Sequence, residues 1–130
     1  MNVFIDTNIL FSAMIWPSWA FYKAVSFPYT GIICEYSVDE LRKTIAKKAP
    51  QYLFYIDKFL SDTVFSIIFV PLPIEPCEEE KQIRDIKDRP LLRAVIKFGA
   101  DYFLTGNKDF LEADIKNPKI ITASEFLELK

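Results

Sequence analysis

The chain has 130 residues, of which 51% are hydrophobic and 26% are charged, with a net charge of −2 and no histidine. These values indicate a single globular domain over residues 1–130 and exclude a disordered chain. The absence of histidine excludes Ser-His and Cys-His nucleophilic pairs, histidine acid–base catalysis and His-bearing zinc sites. An enzyme built from this chain must work with carboxylates, amides, hydroxyls, lysines or a bound metal.

Location and association are also indicated by composition. No apolar run approaches the roughly 20 residues that span a bilayer, and the N-terminus lacks signal-peptide features, so we expect a cytoplasmic protein without membrane contact. Cys34 and Cys77 match no metal-ligand spacing, which predicts reduced thiols. The aromatic content of 15% predicts an exposed contact patch and self-association. Trp16 and Trp19 are candidates for that patch, although core positions are the simpler interpretation.

The opening of the chain places an acid at the end of an apolar strand. Residues 3–5 are β-branched or aromatic without polar alternation, which is typical of a strand covered on both faces. Asp6 follows directly, and Thr7 or Asn8 is suited to cap the next helix. Asp6 is therefore either a metal ligand or phosphate-directed acid, or only a capping residue.

Strands and helices alternate along the rest of the chain. Strands are predicted over residues 3–5, 31–34, 66–70, 102–104 and 119–122. Helices are predicted over residues 9–14, 18–25, 37–45, 50–60 (with Val64 a possible extension), 90–98 and 124–129. This order predicts a three-layer α/β/α sandwich around a mostly parallel five-stranded sheet.

Several helix ends are predicted from single residues. Ser37 and Ser124 are expected to cap helices, which would place Glu40 in a first turn as the capping-box partner of Ser37. Pro17 is expected to end the first helix, and Gly99 to end the helix that Pro90 begins. The acidic residues 78–80 are expected to be solvated, in a loop leading to a short helix, without a chemical role.

Acidic or amide side chains recur where strands meet helices, at Asp6, Glu40, Asp88, Asn107 and Asp109. Acids brought together at one sheet edge repel one another, so such a cluster requires a cation. Oxygen ligands favour Mg²⁺ or Mn²⁺, which polarise a phosphoryl oxygen and activate water. The pattern therefore predicts metal-dependent phosphodiester hydrolysis.

Five sequence features follow the order found in PIN-domain ribonucleases. They are FIDTNI (residues 4–9), Glu40, DRPLLRA (88–94), GADY (99–102) and TGNKDF (105–110). The chain resembles the VapC-like toxin branch of that family over nearly its whole length. The resemblance implies a parallel five-stranded sheet between helices and an acidic site that binds Mg²⁺ or Mn²⁺ and cuts RNA. It also implies an antitoxin protein as partner, and a homodimer agrees with the aromatic content.

The resemblance assigns roles to individual residues. Asp6, Glu40, Asp88 and Asp109 match the family's catalytic and metal-binding acids. Asn107 stands where many members carry aspartate, and it adds an amide oxygen but no negative charge to the metal ligands.

Three smaller residues match hydroxyl and amide neighbours that orient the ligands of the family's site, and each is equally suited to cap a helix: Thr7, Asn8 and Thr105. Four nearby cations are candidates to steer RNA phosphates, although a solvated face explains them equally well: Arg42, Lys43, Arg89 and Lys108.

Two other functions remain open. One is a PIN scaffold with weak or no catalysis that binds RNA or protein, which Asn107 and the acidic charge balance favour. The other is a phosphatase-like α/β protein with Asp6 as nucleophile, which is disfavoured because Asn8 replaces the second acid of an Asp-x-Asp motif.

Overall fold

A computed structural model describes residues 1–16, 18–62 and 67–129. These residues contain a five-stranded sheet in the order β3-β2-β1-β4-β5, in which every neighbouring pair is parallel. The strands are β1 (Asn2–Ile5), β2 (Thr30–Cys34), β3 (Ile67–Val70), β4 (Tyr102–Leu104) and β5 (Lys119–Ile121). The predicted parallel sheet is confirmed.

Helices cover both faces of the sheet. They are α1 (Thr7–Ile15), α2 (Trp19–Ala24), α3 (Glu35–Lys48), α4 (Ile56–Ser61), α5 (Arg89–Lys97), α6 (Lys108–Leu111) and α7 (Ala123–Glu128). Short 3-10 segments lie at Pro50–Tyr55, Glu78–Gln82 and Ile86–Asp88. No helix among these ranges is long and apolar enough to cross a membrane.

Strand β1 lies at the centre of the sheet and divides the core in two. Val3 and Ile5 pack into the cluster that includes residues of α1 to α4 and α7, whereas Phe4 packs into the cluster that includes residues of α5 and α6. All three side chains are fully buried. Alternate side chains of a strand point to opposite faces, so a continuous apolar run is needed where both faces are covered. The predicted three-layer architecture is confirmed.

The strand order reverses direction between β1 and β4. The chain moves from β1 outward through β2 to β3, then returns to place β4 on the other side of β1. The carboxyl ends of these two strands are joined where the Asp6 amide donates to the Leu104 carbonyl at 3.0 Å. In open parallel sheets such a switch point leaves a crevice where ligands bind.

Two predicted serine caps are wrong. Helix α3 begins at Glu35 directly after β2, so Ser37 lies inside the helix and Glu40 lies in its second turn. Ser37 is buried, and its hydroxyl has no hydrogen-bond partner among the described residues. The last helix is capped by Thr122, which forms a reciprocal capping box with Glu125. Residue 127, three positions after Ser124, is a leucine and cannot complete such a box.

Of the other predicted helix boundaries, one is confirmed, one is wrong and some lie outside the described residues. Gly99 follows α5 with a φ of +64°, as predicted for a left-handed helix end. The segment beginning at Pro50 is a 3-10 helix that continues into α4, rather than one α-helix. The break expected at Pro17 and the contributions expected from Val64 and Ser66 lie outside the described residues.

The two tryptophans are exposed, so the expectation of core positions is wrong. Trp16 and Trp19 are 73% and 74% exposed, because α1 ends before Trp16 and the buried face of α2 is formed by Ala20, Phe21 and Ala24. Cys34 and Cys77 are both free thiols, as predicted.

The acidic run at 78–80 is not uniformly solvated. Glu80 is buried and accepts from Arg93 Nε at 2.7 Å and Nη2 at 3.1 Å, and from the Cys77 amide at 2.8 Å. Arg93 Nη1 also reaches the carbonyl oxygens of Pro73 and Ile74. The ion pair therefore fastens the proline-rich connection to α5, a structural role that the charge run did not indicate.

We expect Glu80→Gln to lower the free energy of unfolding by about 2 kcal/mol, because it leaves a half-buried guanidinium without its charged acceptor. Urea unfolding of both proteins measures the difference. Glu78→Gln is the matched control, since Glu78 pairs with Lys81 on an exposed surface and should change stability by less than about 0.5 kcal/mol. Equal effects of the two substitutions would contradict a special role for Glu80.

Candidate metal and catalytic site

Both carboxylate oxygens of Asp6 accept hydrogen bonds, and Asp6 is also the cap of α1. Its Oδ1 accepts from the Thr7 amide at 2.7 Å, and its Oδ2 accepts from the Thr105 hydroxyl at 2.6 Å. Its backbone carbonyl accepts the first bonds of α1, from the amides of Ile9 and Leu10. The predicted cap at Thr7 or Asn8 is thus wrong, because the chain turns one residue earlier, directly at the end of β1.

The pKa of Asp6 is raised from 3.8 to about 6, mainly by burial, and the neighbouring charges of Asp88 and Glu40 contribute to the rise. The hydrogen bonds from Thr105 and Thr7 oppose this rise by favouring the carboxylate. A bound cation would favour the ionised form in the same way. The donor set and its charge therefore suit a hard divalent metal ion.

Glu40, on α3, lines the same cavity as Asp6. The side chain is half-buried, and Tyr36, one helical turn earlier, forms a hydrogen bond to it. Burial and the nearby carboxylates raise the pKa of Tyr36, so its hydroxyl remains a donor that orients the Glu40 carboxylate. Tyr36 is a site residue that the sequence analysis missed; its i to i+4 spacing with Glu40 was the available signal.

Asp88 is joined to Asn107 rather than left free. The Asn107 Nδ2 donates to Asp88 Oδ2 at 3.0 Å, and the Asn107 Oδ1 accepts from the Asp109 amide at 3.0 Å as the cap of α6. Both partners require this amide orientation, since a flip would set oxygen against carboxylate and NH₂ against N–H. The Asn107 oxygen is thus held by the backbone, and the amide NH₂ faces Asp88.

Asp109 lies on the outer side of Asp88. Its Oδ1 accepts from Arg84 at 3.1 Å, and its side chain is half-buried. Ligand oxygens of Asp85, Asp88 and Asp109 all lie within 4.8 Å of one another. Asp88 therefore connects an inner group, with Asp6 and Glu40, to an outer group. Asp85 was missed by the sequence analysis, although its position three residues before Asp88 was a signal.

The inner group lines an open cavity of about 300 Å³ at the switch point of the sheet. Its polar lining includes Asp6, Glu40, Asp88 and Asn107, whereas Asp109 does not line it. The burial of Asp6 at 6% exposure contrasts with the half-exposed Glu40 and Asp88. The cavity therefore offers carboxylate oxygens from three different elements to one small volume.

The three smaller candidate residues lie around Asp6. Thr105 is fully buried, and its hydroxyl connects Asp6 to the backbone of Asn107. The Thr105 Oγ1 donates to Asp6 and accepts from the backbone N–H of Asn107 at 3.0 Å. Asn8 is exposed, and its Oδ1 accepts from the Gly106 amide at 3.3 Å. Thr7 and Asn8 both line the cavity. A methyl group added at Gly106 would lie 3.3 Å from Asn8 Nδ2, so glycine permits this close approach.

The four cations that were candidates to steer RNA phosphates do not line the cavity. Arg42 pairs with Asp57 on the surface, and Arg89 Nε donates to the Ile83 carbonyl at 2.9 Å. Lys43 and Lys108 are exposed and do not line the cavity. Within the described part of the chain the cation that lines it is Lys48, which the sequence did not distinguish from other helix-surface lysines.

The raised pKa of Asp6 predicts a pH-dependent stability in chelator. Between pH 4 and 6 the folded protein binds more protons than the unfolded chain, so its stability falls as the pH rises. Asp6→Asn removes this titration. As the pH rises across that window, the unfolding free energy of Asp6→Asn should therefore increase relative to that of wild type by up to about 3 kcal/mol. Denaturant unfolding at stepped pH measures this, with Asp39→Asn on the exposed side of α3 as control. Parallel pH curves for wild type and Asp6→Asn would contradict the burial of an ionising carboxyl.

Comparison with known proteins found a similar fold without a similar sequence. A chain of the VapBC2 complex from Rickettsia felis, solved bound to a DNA fragment from its promoter, superposes with a TM-score of 0.69 over 94% of this chain and 98% of that chain. Sequence identity is 15%, so the likeness concerns the fold. No family model and no curated protein matches the sequence. The chain therefore has a PIN-like α/β/α fold of the VapC type, which confirms the resemblance at the level of structure.

Proposed function

We propose that the protein is a metal-dependent endoribonuclease that hydrolyses RNA phosphodiester bonds. The observation that carries this proposal is the cavity at the switch point, where Asp6, Glu40 and Asp88 face one another and the burial of Asp6 holds its pKa near 6. Isolated acids in such a place are unfavourable unless a cation joins them. A PIN-like fold makes RNA the substrate to test first.

Asp6, Glu40 and Asp88 are the residues that would hold Mg²⁺ or Mn²⁺, with Asp109 adjacent to Asp88. The ion would supply a Lewis acid for a phosphoryl oxygen and would lower the pKa of a water. Thr105 and the Thr7 amide fix the direction of the Asp6 oxygens, and Tyr36 fixes Glu40. Asn107 holds Asp88 and the start of α6 in one arrangement. These contacts preorganise the ligands, which reduces the cost of binding the ion.

The test uses mixed-sequence single-stranded RNA with the wild-type protein. We expect cleavage with Mn²⁺ or Mg²⁺, none in chelator, and recovery when metal is added back. Intact RNA at millimolar Mn²⁺, with RNA binding retained, would instead support the non-catalytic module. The observation that favours this second candidate is the Asn107 NH₂ group, which already supplies Asp88 with a polar partner.

A role as the toxin of a toxin-antitoxin pair is the biological form of the proposal. The similar fold belongs to a chain of a VapBC2 complex, which supports an antitoxin protein as partner. An exposed aromatic face supports protein contacts in general. It consists of Trp19, Tyr22 and Tyr55, which are 74%, 47% and 38% exposed and are linked through ring contacts with Phe21 and Phe59 beneath them. Exposed aromatic clusters of this kind are typical of interfaces.

We expect the aromatic face to form a homodimer contact. Sedimentation velocity should show a dimer for wild type and a shift towards monomer for Trp19→Ser, because a central exposed tryptophan contributes strongly to such contacts. Ile74→Ser is the control, since Ile74 is 91% exposed but lies in the proline-rich connection. A wild-type monomer at high concentration would limit the face to a different protein partner.

A further inference from the structure

The acidic cavity continues along a groove between α1 and α3 that the metal ligands do not use. Helix α3 contributes Tyr36, Glu40, Thr44 and Lys48 to its lining, at intervals of four residues. Lys48 therefore lies eight residues beyond Glu40, or about 12 Å along the helix axis. From α1, Phe11 lines the same cavity one turn after Thr7. The groove thus changes from acidic to aromatic and cationic along its length.

Lys48 lies beside an aromatic ring and not beside an acid. Its Nζ lies 5.9 Å from the centroid of the Phe11 ring, and it forms no ion pair with any described residue. The simple explanation is that a lysine in the last turn of a helix interacts with the helix dipole. Lys47 shares that position in the last turn, but it does not line the cavity. The dipole therefore does not explain the placement of Lys48 over Phe11.

Phe11 is held as a fixed surface. It is half-buried and packs against the large core cluster, while its remaining surface lines the cavity. A ring fixed on one side and open on the other can stack on a nucleic-acid base at little cost in side-chain freedom. A base is available for stacking only where it is not already stacked within a duplex.

We propose that Phe11 and Lys48 form a binding site for the nucleotide beside the scissile phosphate, with the Phe11 ring stacking on its base and the Lys48 ammonium contacting its phosphate. The inference rests on the proposed function, because it places the cut phosphate at Asp6, Glu40 and Asp88. It makes the substrate a single-stranded RNA segment. It also explains how an acidic protein holds a polyanion, since the cation lies at a distance from the acids along the strand.

The experiment measures binding of a fluorescein-labelled single-stranded RNA in chelator by anisotropy. All proteins carry Asp6→Asn, which removes one negative charge from the cavity and prevents cutting. Lys48→Gln is compared with Lys47→Gln and with Lys48→Arg, which keeps the charge. Phe11→Leu is compared with Phe11→Tyr, which keeps the ring, and thermal melts verify that each variant is folded.

We expect Lys48→Gln to weaken binding severalfold and to lower the slope of log affinity against log salt by about 0.7, as for one lost phosphate contact on a single strand. Lys47→Gln and Lys48→Arg should retain the slope. Phe11→Leu should weaken binding about tenfold, whereas Phe11→Tyr should not. A duplex of the same sequence should bind without sensitivity to Phe11.

The inference is overturned if Asp6→Asn does not bind the RNA, if Lys48→Gln and Lys47→Gln behave alike, or if Phe11→Leu matches Phe11→Tyr. Failure of the nuclease proposal looks different. In that case wild type leaves RNA intact with Mn²⁺, while the binding differences at Phe11 and Lys48 persist.

Discussion

Asp6→Ala should lower metal-dependent RNA cleavage by more than about 100-fold, because substitution of groups that only orient metal ligands already costs about 10- to 100-fold. Asp6 is the most buried acid of the cavity, and both of its oxygens are fixed by hydrogen bonds. Its loss removes a ligand that neither Glu40 nor Asp88 is placed to replace. Initial rates with Mn²⁺ on a labelled RNA measure the effect.

The controls separate loss of metal from loss of fold. Asp6→Ala leaves the Thr105 hydroxyl and the Thr7 amide without their acceptor, so Asp6→Asn, which keeps one oxygen, should show the same loss of activity with an intact melting transition. Asp39→Asn changes an exposed acid next to Glu40 and should retain the wild-type rate. Full activity of Asp6→Asn would show that the catalytic ion is not held in this cavity, since an amide supplies no charge to hold the ion.

The fold was predictable where one residue type had one role. The uninterrupted apolar run at residues 3–5 predicted a strand covered on both faces, and β1 is the fully buried centre of the sheet. The helix caps were less predictable, because Asp6, Ser37 and Ser124 all have side chains that suit a cap. Which of them caps a helix depends on where the preceding strand ends, and that is set by pairing with strands distant in sequence.

The site was predictable by residue type but not by geometry. The acids that follow strands were recognisable, whereas the contact of Asn107 with Asp88 joins residues 19 positions apart. Glu80 and Lys48 show the same limit. Each is one charge among several neighbours of its own kind, and only the position of Arg93 or Phe11 in the folded chain distinguishes it. Local sequence carries no information about such long-range partners.

Asn107→Asp should convert the protein into one whose stability depends on a bound metal. The new carboxylate can still accept from the Asp109 amide and cap α6, so the local backbone is unchanged. Its other oxygen, however, would replace the NH₂ group that now lies 3.0 Å from Asp88 Oδ2. Two like charges at that distance repel by roughly 5 to 6 kcal/mol at an effective dielectric constant of 20.

We therefore expect Asn107→Asp in chelator to lose about 2–4 kcal/mol of unfolding free energy at neutral pH. This loss is smaller than the full repulsion because protonation of one carboxyl relieves part of it. Mn²⁺ should restore this stability, and Mn²⁺ affinity by calorimetry should rise about 10- to 100-fold, because the added charge and the unpaired Asp88 oxygen both favour the ion. Asn107→Ser keeps a capping oxygen and removes the NH₂ group from Asp88 Oδ2 without adding a charge. It is the control for the added charge and should show a smaller change in both quantities than Asn107→Asp.

Activity then shows what limits the native enzyme. If metal affinity limits it, Asn107→Asp should cleave RNA faster than wild type at micromolar Mn²⁺ and equally fast at saturating Mn²⁺. Adding Asp88→Ala to that variant should abolish cleavage, because the new acid at 107 lies beside Asp88 and does not occupy its position between the inner and outer groups. Unchanged Mn²⁺ affinity in Asn107→Asp would mean that the ion binds away from Asp88, and the ligand set proposed here would be wrong.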